Sequence, residues 1–518
     1  MCVSGDKKIR SILERTIFPV FLSALVVIFI AGICEVLLRV AGVGKDRDPV
    51  IEKEIEGIRF YIPNKDFYQQ FFSIPIHDFV NWDDLDFYVP RNKSPNSVRI
   101  FVFGESAMYG LESSARQLEV MLKRQFPWIK WEIYNFSCPG VNSHILCELA
   151  KSARKLSPDI FIIYMGNNES IGPYGDNSLL GRVWFLRKNR VIRAHIFLKG
   201  LRLVQLFERV PSPEWRKYLP DDMSKYIPGQ AQQQITLRLF ENNLYQILRT
   251  GVDSGAGVIV GTLSYNRLYG KNKNLEIPKF EQTPMNTIIK KLAKDFENQG
   301  WKIYLADIDW VLALNSPVGV PDYSFFCDNI HFTFEGNYLV AREWFNCVVK
   351  VLYEKGVLGF PKKTVPIPIE ECSRYLGWGK ANELELVRLQ KGVIRDTVSL
   401  SLLEERERRL SAVVKDKAMD EIISNYSIAY HLNRGDEKVA KQYIDYLLKA
   451  RKDDKALAVS LELYRSMPHS RLAMRLLGNA YANLGDFANA ERMYRQCLKY
   501  YPDDGLAKDS LELILKLN

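Results

Sequence analysis

The 518 residues carry three textures of apolar and polar positions. Residues 17–34, IFPVFLSALVVIFIAGIC, are broken only by Ser23, and Val36, Leu37 and Leu38 continue the run past Glu35. As a helix this stretch is long enough to cross a hydrocarbon core of ~30 Å. It exceeds the usual apolar region of a cleaved signal, and no small-x-small site follows it. The pattern therefore predicts an uncleaved signal-anchor over 17–38, behind a basic tail at 1–16. From 97 to 358 short β-branched runs alternate with helix-like segments. SVRIFVFG, WEIYNFS, DIFIIYMG, AGVIVGTLS and WKIYLADI read as five strands, with SHILCELAKSARKL and NTIIKKLAKDFENQG among the helices between them. Continuous apolar strands that alternate with helices predict an α/β domain, its parallel sheet covered on both faces. The aromatic-rich stretch 39–96 between anchor and sheet reads as an irregular lead-in.

Residues 174–235 interrupt this rhythm between the third and fourth strands. Seven Lys/Arg fall between 182 and 202, with no acid before Glu208. Apolar residues interleave with them, as in a helix on an anionic interface. The plainer reading is a helical insertion over the site with a solvated basic face. Residues 359–379, containing GFPKKTVPIPIE, read as a linker. From 380 to 518 only helical periodicity remains. Leu477-Gly478, Tyr481, Gly485, Ala490, Tyr494 and Pro502 fall at tetratricopeptide positions, where small residues let two helices approach and proline ends the second. A weaker copy runs through SIAYHLNRGDEKVAKQYIDYLL, and 453–467 and 505–517 add further helices. The expectation is a tetratricopeptide-like solenoid with a surface for a protein partner.

Composition changes this picture little. Apolar residues make up 47% and charged residues 25%, enough for real cores and against wholesale disorder. The net charge of +10 favours an anionic surface without choosing among lipid, acidic polymer and nucleic acid. Nucleic acid is excluded as a partner because the basic stretch is threaded with aliphatics. Lys7, Lys8, Arg10 and Arg15 precede the anchor, while Arg39, Lys45 and Arg47 follow it. That bias places the amino terminus in the cytoplasm and the remaining chain outside the plasma (inner) membrane, as a single-pass protein. The eight cysteines match no metal spacing. One or two bridges among Cys138, Cys147, Cys327 and Cys347 would suit an oxidising compartment.

A hydrolase without metal or other cofactor needs a nucleophile, a base and donors for an oxyanion. In an open parallel sheet these gather beyond the carboxyl ends of the strands. The first strand runs into Gly104-Glu105-Ser106, which would put Ser106 at the start of the next helix. Gly140 follows the second strand, and Asn168 follows the third in GNNES. Of six histidines, His77, His144, His195, His431 and His469 lack a suitably spaced carboxylate after a strand, whereas Asp328 stands three residues before His331.

In order and strand context, GES at Ser106, Gly140, GNNE at Asn168 and DNIH at His331 resemble the four blocks of the SGNH (GDSL-like) hydrolase superfamily. The resemblance implies a flavodoxin-like three-layer α/β/α sandwich over roughly 97–355. It implies Ser106 as nucleophile, His331 as general base and acid, Asp328 as its orienter, and an oxyanion hole from Ser106, Gly140 and Asn168. Glu105 and Glu169 stand where the family commonly has Asp, and Ala107 where it has Leu, so subfamily and substrate stay open. The expected function is ester hydrolysis on O-acyl groups of an extracytoplasmic carbohydrate or lipid. Two alternatives are an O-acyltransferase of the same fold acting on an envelope polysaccharide, and a glycan-binding scaffold that recruits partners through 380–518.

Overall fold

The computed structural model describes residues 18–72, 76, 80–176, 187–207, 230–269, 283–359, 364–393, 397–414 and 418–517. The basic tail and Ile17 lie outside these. Helix α1 (Phe18–Val40) has no buried residue and is long and apolar enough to cross a membrane.

The described part of residues 39–96, expected to be irregular, contains a small sheet. Strands β1 (Val50–Ile55) and β2 (Ile58–Pro63) make an antiparallel hairpin, and β3 (Val89–Pro90) pairs with β2. The hairpin closes on Glu56-Gly57, whose φ angles of 51° and 76° match the turn that joins twisted strands with two residues. Its signal was hidden because Glu52, Lys53 and Glu54 interrupt the apolar pattern of a strand that is mostly at the surface. Two short helices, α2 (Lys65–Gln69) and α3 (Trp82–Leu85), lie between β2 and β3. Asn64 and Asn81 cap them by accepting from the backbone N–H of Asp66 and Asp83.

The five expected strands are all present: β4 (Ser97–Gly104), β5 (Lys130–Asn135), β6 (Ile160–Tyr164), β7 (Gly257–Gly261) and β8 (Ile303–Ala306). They pair in parallel in the order β5-β4-β6-β7-β8. Between them run α4 (Ser114–Gln125), α5 (Ser143–Ala153), α6 (Asn189–Gly200), α7 (Arg202–Phe207), α8 (Gln230–Asp253) and α9 (Pro284–Asn298), with α10 (Ile308–Asn315) and α11 (Phe334–Glu354) after β8. Helices α4 and α11 pack together over one face of the sheet, and α5, α8 and α9 over the other. Strand β4 is buried at every residue. Its one charged residue, Arg99, sits opposite Glu132 of β5 in the register and pairs with it at 2.7 Å.

Helix α12 (Ile369–Leu376) occupies the segment expected to be a linker. Ile369, Cys372 and Leu376 share one face, and Cys372 and Leu376 belong to the core of the α/β body. Nine described helices thus complete the chain: α12, then α13 (Lys380–Val393), α14 (Thr397–Val413), α15 (Ala418–Leu432), α16 (Glu437–Lys449), α17 (Asp453–Ser466), α18 (Arg471–Asn483), α19 (Phe487–Tyr500) and α20 (Gly505–Leu517). Gly478 on α18 has a packing reason: a Cβ there would lie 2.6 Å from the Tyr494 ring on α19.

This helical region is built into the rest of the molecule. Ile55, Phe60 and Ile62 of the hairpin share a core with Met474, Leu477, Met493 and Tyr501. Beside it Arg471 pairs with Asp86 at 2.9 Å, and Arg475 bridges Asp83 at 2.5 Å and Asp504 at 2.9 Å, all nearly inaccessible to solvent. Arg116 of α4 pairs with Asp436, which also caps α16. The seven described cysteines, Cys138, Cys147, Cys327 and Cys347 among them, are unbridged. Among the described residues no disulfide therefore staples the fold.

Removing one partner of a buried ion pair strands the other charge, so Arg475→Met is expected to cost about 3–5 kcal/mol. Arg408→Ala, at an exposed pair, is expected to stay within about 0.5 kcal/mol of wild type. Denaturant unfolding of the detergent-solubilised chain measures both.

Candidate active site

At Gly104 the chain turns closely under β4: a Cβ would lie 2.6 Å from Ser137 Oγ and 2.7 Å from Met108 Cγ. Glu105 follows, fully buried. Its two carboxylate oxygens accept from the backbone N–H of Gly166 at 3.0 Å and of Asn167 at 2.8 Å. The end of β4 is thereby tied to the loop after β6.

Ser106 opens a single 3₁₀ turn, Ser106–Met108. The long helix expected to begin there starts only at Ser114, because Gly110, at a φ of 106°, redirects the chain first. The Ser106 amide therefore sits on one isolated turn, without the dipole of a long helix behind it.

His331 reaches Ser106 from a closed loop before α11. Cys327 N–H donates to the His331 carbonyl at 2.8 Å, and Thr333 N–H to that of Phe325 at 2.9 Å. Phe326 and Phe332 form an antiparallel bridge across the loop. Inside this turn Asp328 Oδ1 accepts from the N–H of Ile330 and of His331, both at 2.8 Å. Asp328 Oδ2 lies 2.6 Å from His331 Nδ1, and His331 Nε2 lies 2.9 Å from Ser106 Oγ. A carboxylate only accepts, so Nδ1 carries the proton and Nε2 is left to accept from the serine hydroxyl.

The remaining two expected site residues follow β5 and β6, the strands on either side of β4. Gly140 adopts a φ of 77°, and the buried Asn168 donates its side-chain N–H to the Val141 carbonyl at 2.8 Å. One Asn168 N–H is thus used and a second is left on the same nitrogen. Glu169 accepts from both the backbone N–H and the hydroxyl of Ser143, at 2.8 Å and 2.7 Å.

Two supports of the histidine loop were not anticipated. Asn266, in the loop after β7, donates its backbone N–H to the Asn329 carbonyl at 2.8 Å and its side chain to that of Asp328 at 3.3 Å. A polar residue just past a strand end was its only signal. Arg406 of α14 donates to Cys327 Sγ at 3.6 Å and is itself gripped by Glu383 of α13 at 2.6 Å. Nothing local in the sequence marks that contact, which comes from the distant helical region.

The other described histidines have structural roles. His144 is buried against Asn243 at 2.9 Å, His195 bonds the Tyr174 hydroxyl at 3.0 Å, and His469 stacks on Phe60. His431 packs beside Tyr430, and His77 lies outside the described residues. Among the described residues no cluster of three His, Cys, Asp or Glu is placed to hold a metal.

Electrostatics separate these groups. Burial disfavours the His331 imidazolium, but the Asp328 charge and hydrogen bond outweigh it and raise the His331 pKa. Burial likewise opposes the Asp328 carboxylate, and His331 with the two backbone N–H groups keeps its pKa low. Glu105 is pushed up to about 8 by burial and by the nearby Glu169 charge. Burial moves Glu169 up to about 7.

No family model and no curated protein matches this chain. Among solved structures it is similar to Axe2, an acetylxylan esterase from Geobacillus stearothermophilus, at 14% identity over 50% of this chain and 96% of that one, with a TM-score of 0.31. It is also similar to the acetyl xylan esterase AlAXEase, at 14% identity over 48% of this chain and 100% of that one, with a TM-score of 0.30. A third likeness is to LAE5, an alpha/beta hydrolase from the metagenome of Lake Arreo, Spain, at 12% identity over 50% of this chain and 98% of that one, with a TM-score of 0.30. Likenesses this weak carry no claim about the chemistry of this chain, which rests on its own geometry.

Glu105 and Glu169 hold protons in the folded chain that the unfolded chain gives up near 4.5. Their contribution to stability is fully present below that value and is lost as pH rises towards about 8. Glu105→Gln is expected to flatten this slope and, by turning an amide N–H towards a backbone N–H, to cost about 1–3 kcal/mol. Unfolding free energies between pH 5 and 8 test both signs.

Proposed function

We propose that this chain is a membrane-anchored serine ester hydrolase of the SGNH type, acting on O-acyl groups of an extracytoplasmic carbohydrate or lipid. The observation that carries this is the hydrogen-bonded line Asp328–His331–Ser106 beyond the carboxyl ends of a parallel sheet. Strand order, with helices on both faces, supports the flavodoxin-like form of that fold.

Ser106 Oγ attacks the ester carbonyl carbon while His331 Nε2 takes its proton. Asp328 stabilises the imidazolium through Nδ1–H. The carbonyl oxygen, now an anion, is held by the backbone N–H groups of Ser106 and Gly140 and by the second Asn168 N–H. Collapse breaks the bond to the alcohol oxygen, which leaves with the proton from His331, and the acyl group stays on Ser106. Water then attacks this second ester, again losing a proton to His331, and releases the acid and the free serine.

Helix α1 would serve as a single-pass signal-anchor with its amino terminus in the cytoplasm. The helix pairs α15–α16 and α18–α19 support a tetratricopeptide-like reading of the tail, whose outer surface would take a protein partner. Arg406 makes this region a brace of the histidine loop as well, so a truncation at 380 would disturb the site itself.

Ser106→Ala is expected to abolish both turnover of a small acetyl ester and covalent labelling by a fluorophosphonate. Labelling of this variant at the wild-type level would refute the assignment. Because His331 must be neutral to act, the acid limb of kcat/KM is expected above the ordinary histidine value of 6.5. Asp328→Asn should shift that limb to lower pH and reduce kcat on the order of 10³–10⁴-fold. An unmoved limb in the variant would sink the role given to Asp328.

A further inference from the structure

Helix α6 faces the wrong way for a helix in water. Val191, Ala194, Phe197 and Leu198 fall on one side of it, and all are exposed, Phe197 by 68%. Its opposite side is already satisfied: Ile192 packs with Tyr174 and Leu239, and Ile196 lies against them. An outward apolar row on a helix whose inner side is packed marks a surface that meets something other than water.

On α7, Leu206 is exposed as well. Helix α7 touches α1. Leu203 N–H donates to Glu35 Oε2 of α1 at 2.9 Å, and Arg39, paired with Glu35 at 2.7 Å, reaches the Gly200 carbonyl at 3.4 Å. Lys45 and Gln205 exchange backbone and side-chain bonds at 2.8 Å and 3.0 Å, and Arg47 donates to the Lys199 carbonyl at 2.8 Å. Glu35 lies five residues before the end of α1, about 7.5 Å back along the helix axis. Helix α7 is therefore held beside the end of α1, between the levels of Glu35 and Lys45, where a helix beside a membrane span lies ~5–10 Å into the interface. Residues 187–207 contain Arg187, Lys188, Arg190, Arg193, Lys199 and Arg202 and no acid. Lys188 and Arg190 are exposed where the apolar row begins.

We propose that α6 and α7 form an in-plane foot, seated in the interface of the bilayer that α1 crosses. The apolar row enters the upper acyl chains, and Lys188 and Arg190 engage anionic lipid headgroups. The α/β body is thereby held against the membrane surface by two contacts, one spanning and one lying flat. The foot rests on α1 being a membrane span, and the test reads the two separately.

Full-length Phe197→Trp protein is reconstituted into nanodiscs whose phosphatidylglycerol is brominated near the headgroup end of its acyl chains, and wild-type emission in the same discs is subtracted. The bromolipid is expected to remove most of the added tryptophan emission, and acrylamide little of it. Quenching should be weaker in phosphatidylcholine discs, and that difference should vanish in Lys188→Gln/Arg190→Gln. Emission quenched by acrylamide alone, or by neither agent because protein covers the row, overturns the foot while α1 stands. Protein that does not co-elute with discs overturns the anchor and the foot together. Equal quenching in both lipids overturns the headgroup contact. Retained hydrolysis of a small soluble ester confirms that each variant is folded.

Discussion

Strand β4 is buried along its whole length, and the position of Ser106 follows from that constraint. A strand covered on both faces and paired on both edges cannot shift its register without moving every side chain to the opposite packed face, where neither its volume nor its polarity matches. Its last residue, Gly104, lies within contact of Ser137 and Met108, and the next, Glu105, bonds two amides of the loop after β6. The serine is thus delivered to one point by groups that have no room to move. Even the charge within the strand is used for registration, since Arg99 finds Glu132 directly across the pair.

The histidine loop is held differently. It makes its own turn through Asp328 and its own bridge through Phe326 and Phe332. It is then pinned from one side by Asn266 of the α/β body and from the other by Arg406 of the helical region. Those two regions are themselves locked by the charged network of Asp83, Asp86, Arg471, Arg475 and Asp504. Buried pairs of this kind contribute little net stability but penalise any arrangement that separates them. Loosening the helical region should therefore be felt at His331 as well as in the global unfolding free energy.

Carboxyl groups around the site divide by environment. Asp328 has an adjacent imidazole and two N–H donors, and stays ionised. Glu105 and Glu169 share a dry space with each other, and their first proton is held much more tightly. Both kinds act as acceptors for backbone N–H groups, so the same side-chain type shapes the loops and tunes the base. The difference lies in which charge faces each carboxyl group.

Much of this was legible along the chain. Five apolar runs marked five strands, the apolar stretch at 17–38 marked α1, and Gly478 and Tyr494 marked two helices in contact. Ser106 could be singled out because it directly follows a strand, and His331 because histidine is scarce and Asp328 stands three residues before it. These features are local: periodicity, burial and residue type act over a few positions. What only the tertiary structure decided is non-local. The hairpin of 50–63 is stabilised by a core shared with α18 and α19 that its own charged alternation conceals. The segment 369–376 is a helix because Cys372 and Leu376 find the α/β core. Arg406 beside Cys327, and an apolar row facing outward next to α1, depend on contacts between distant segments, whose energies no local pattern encodes.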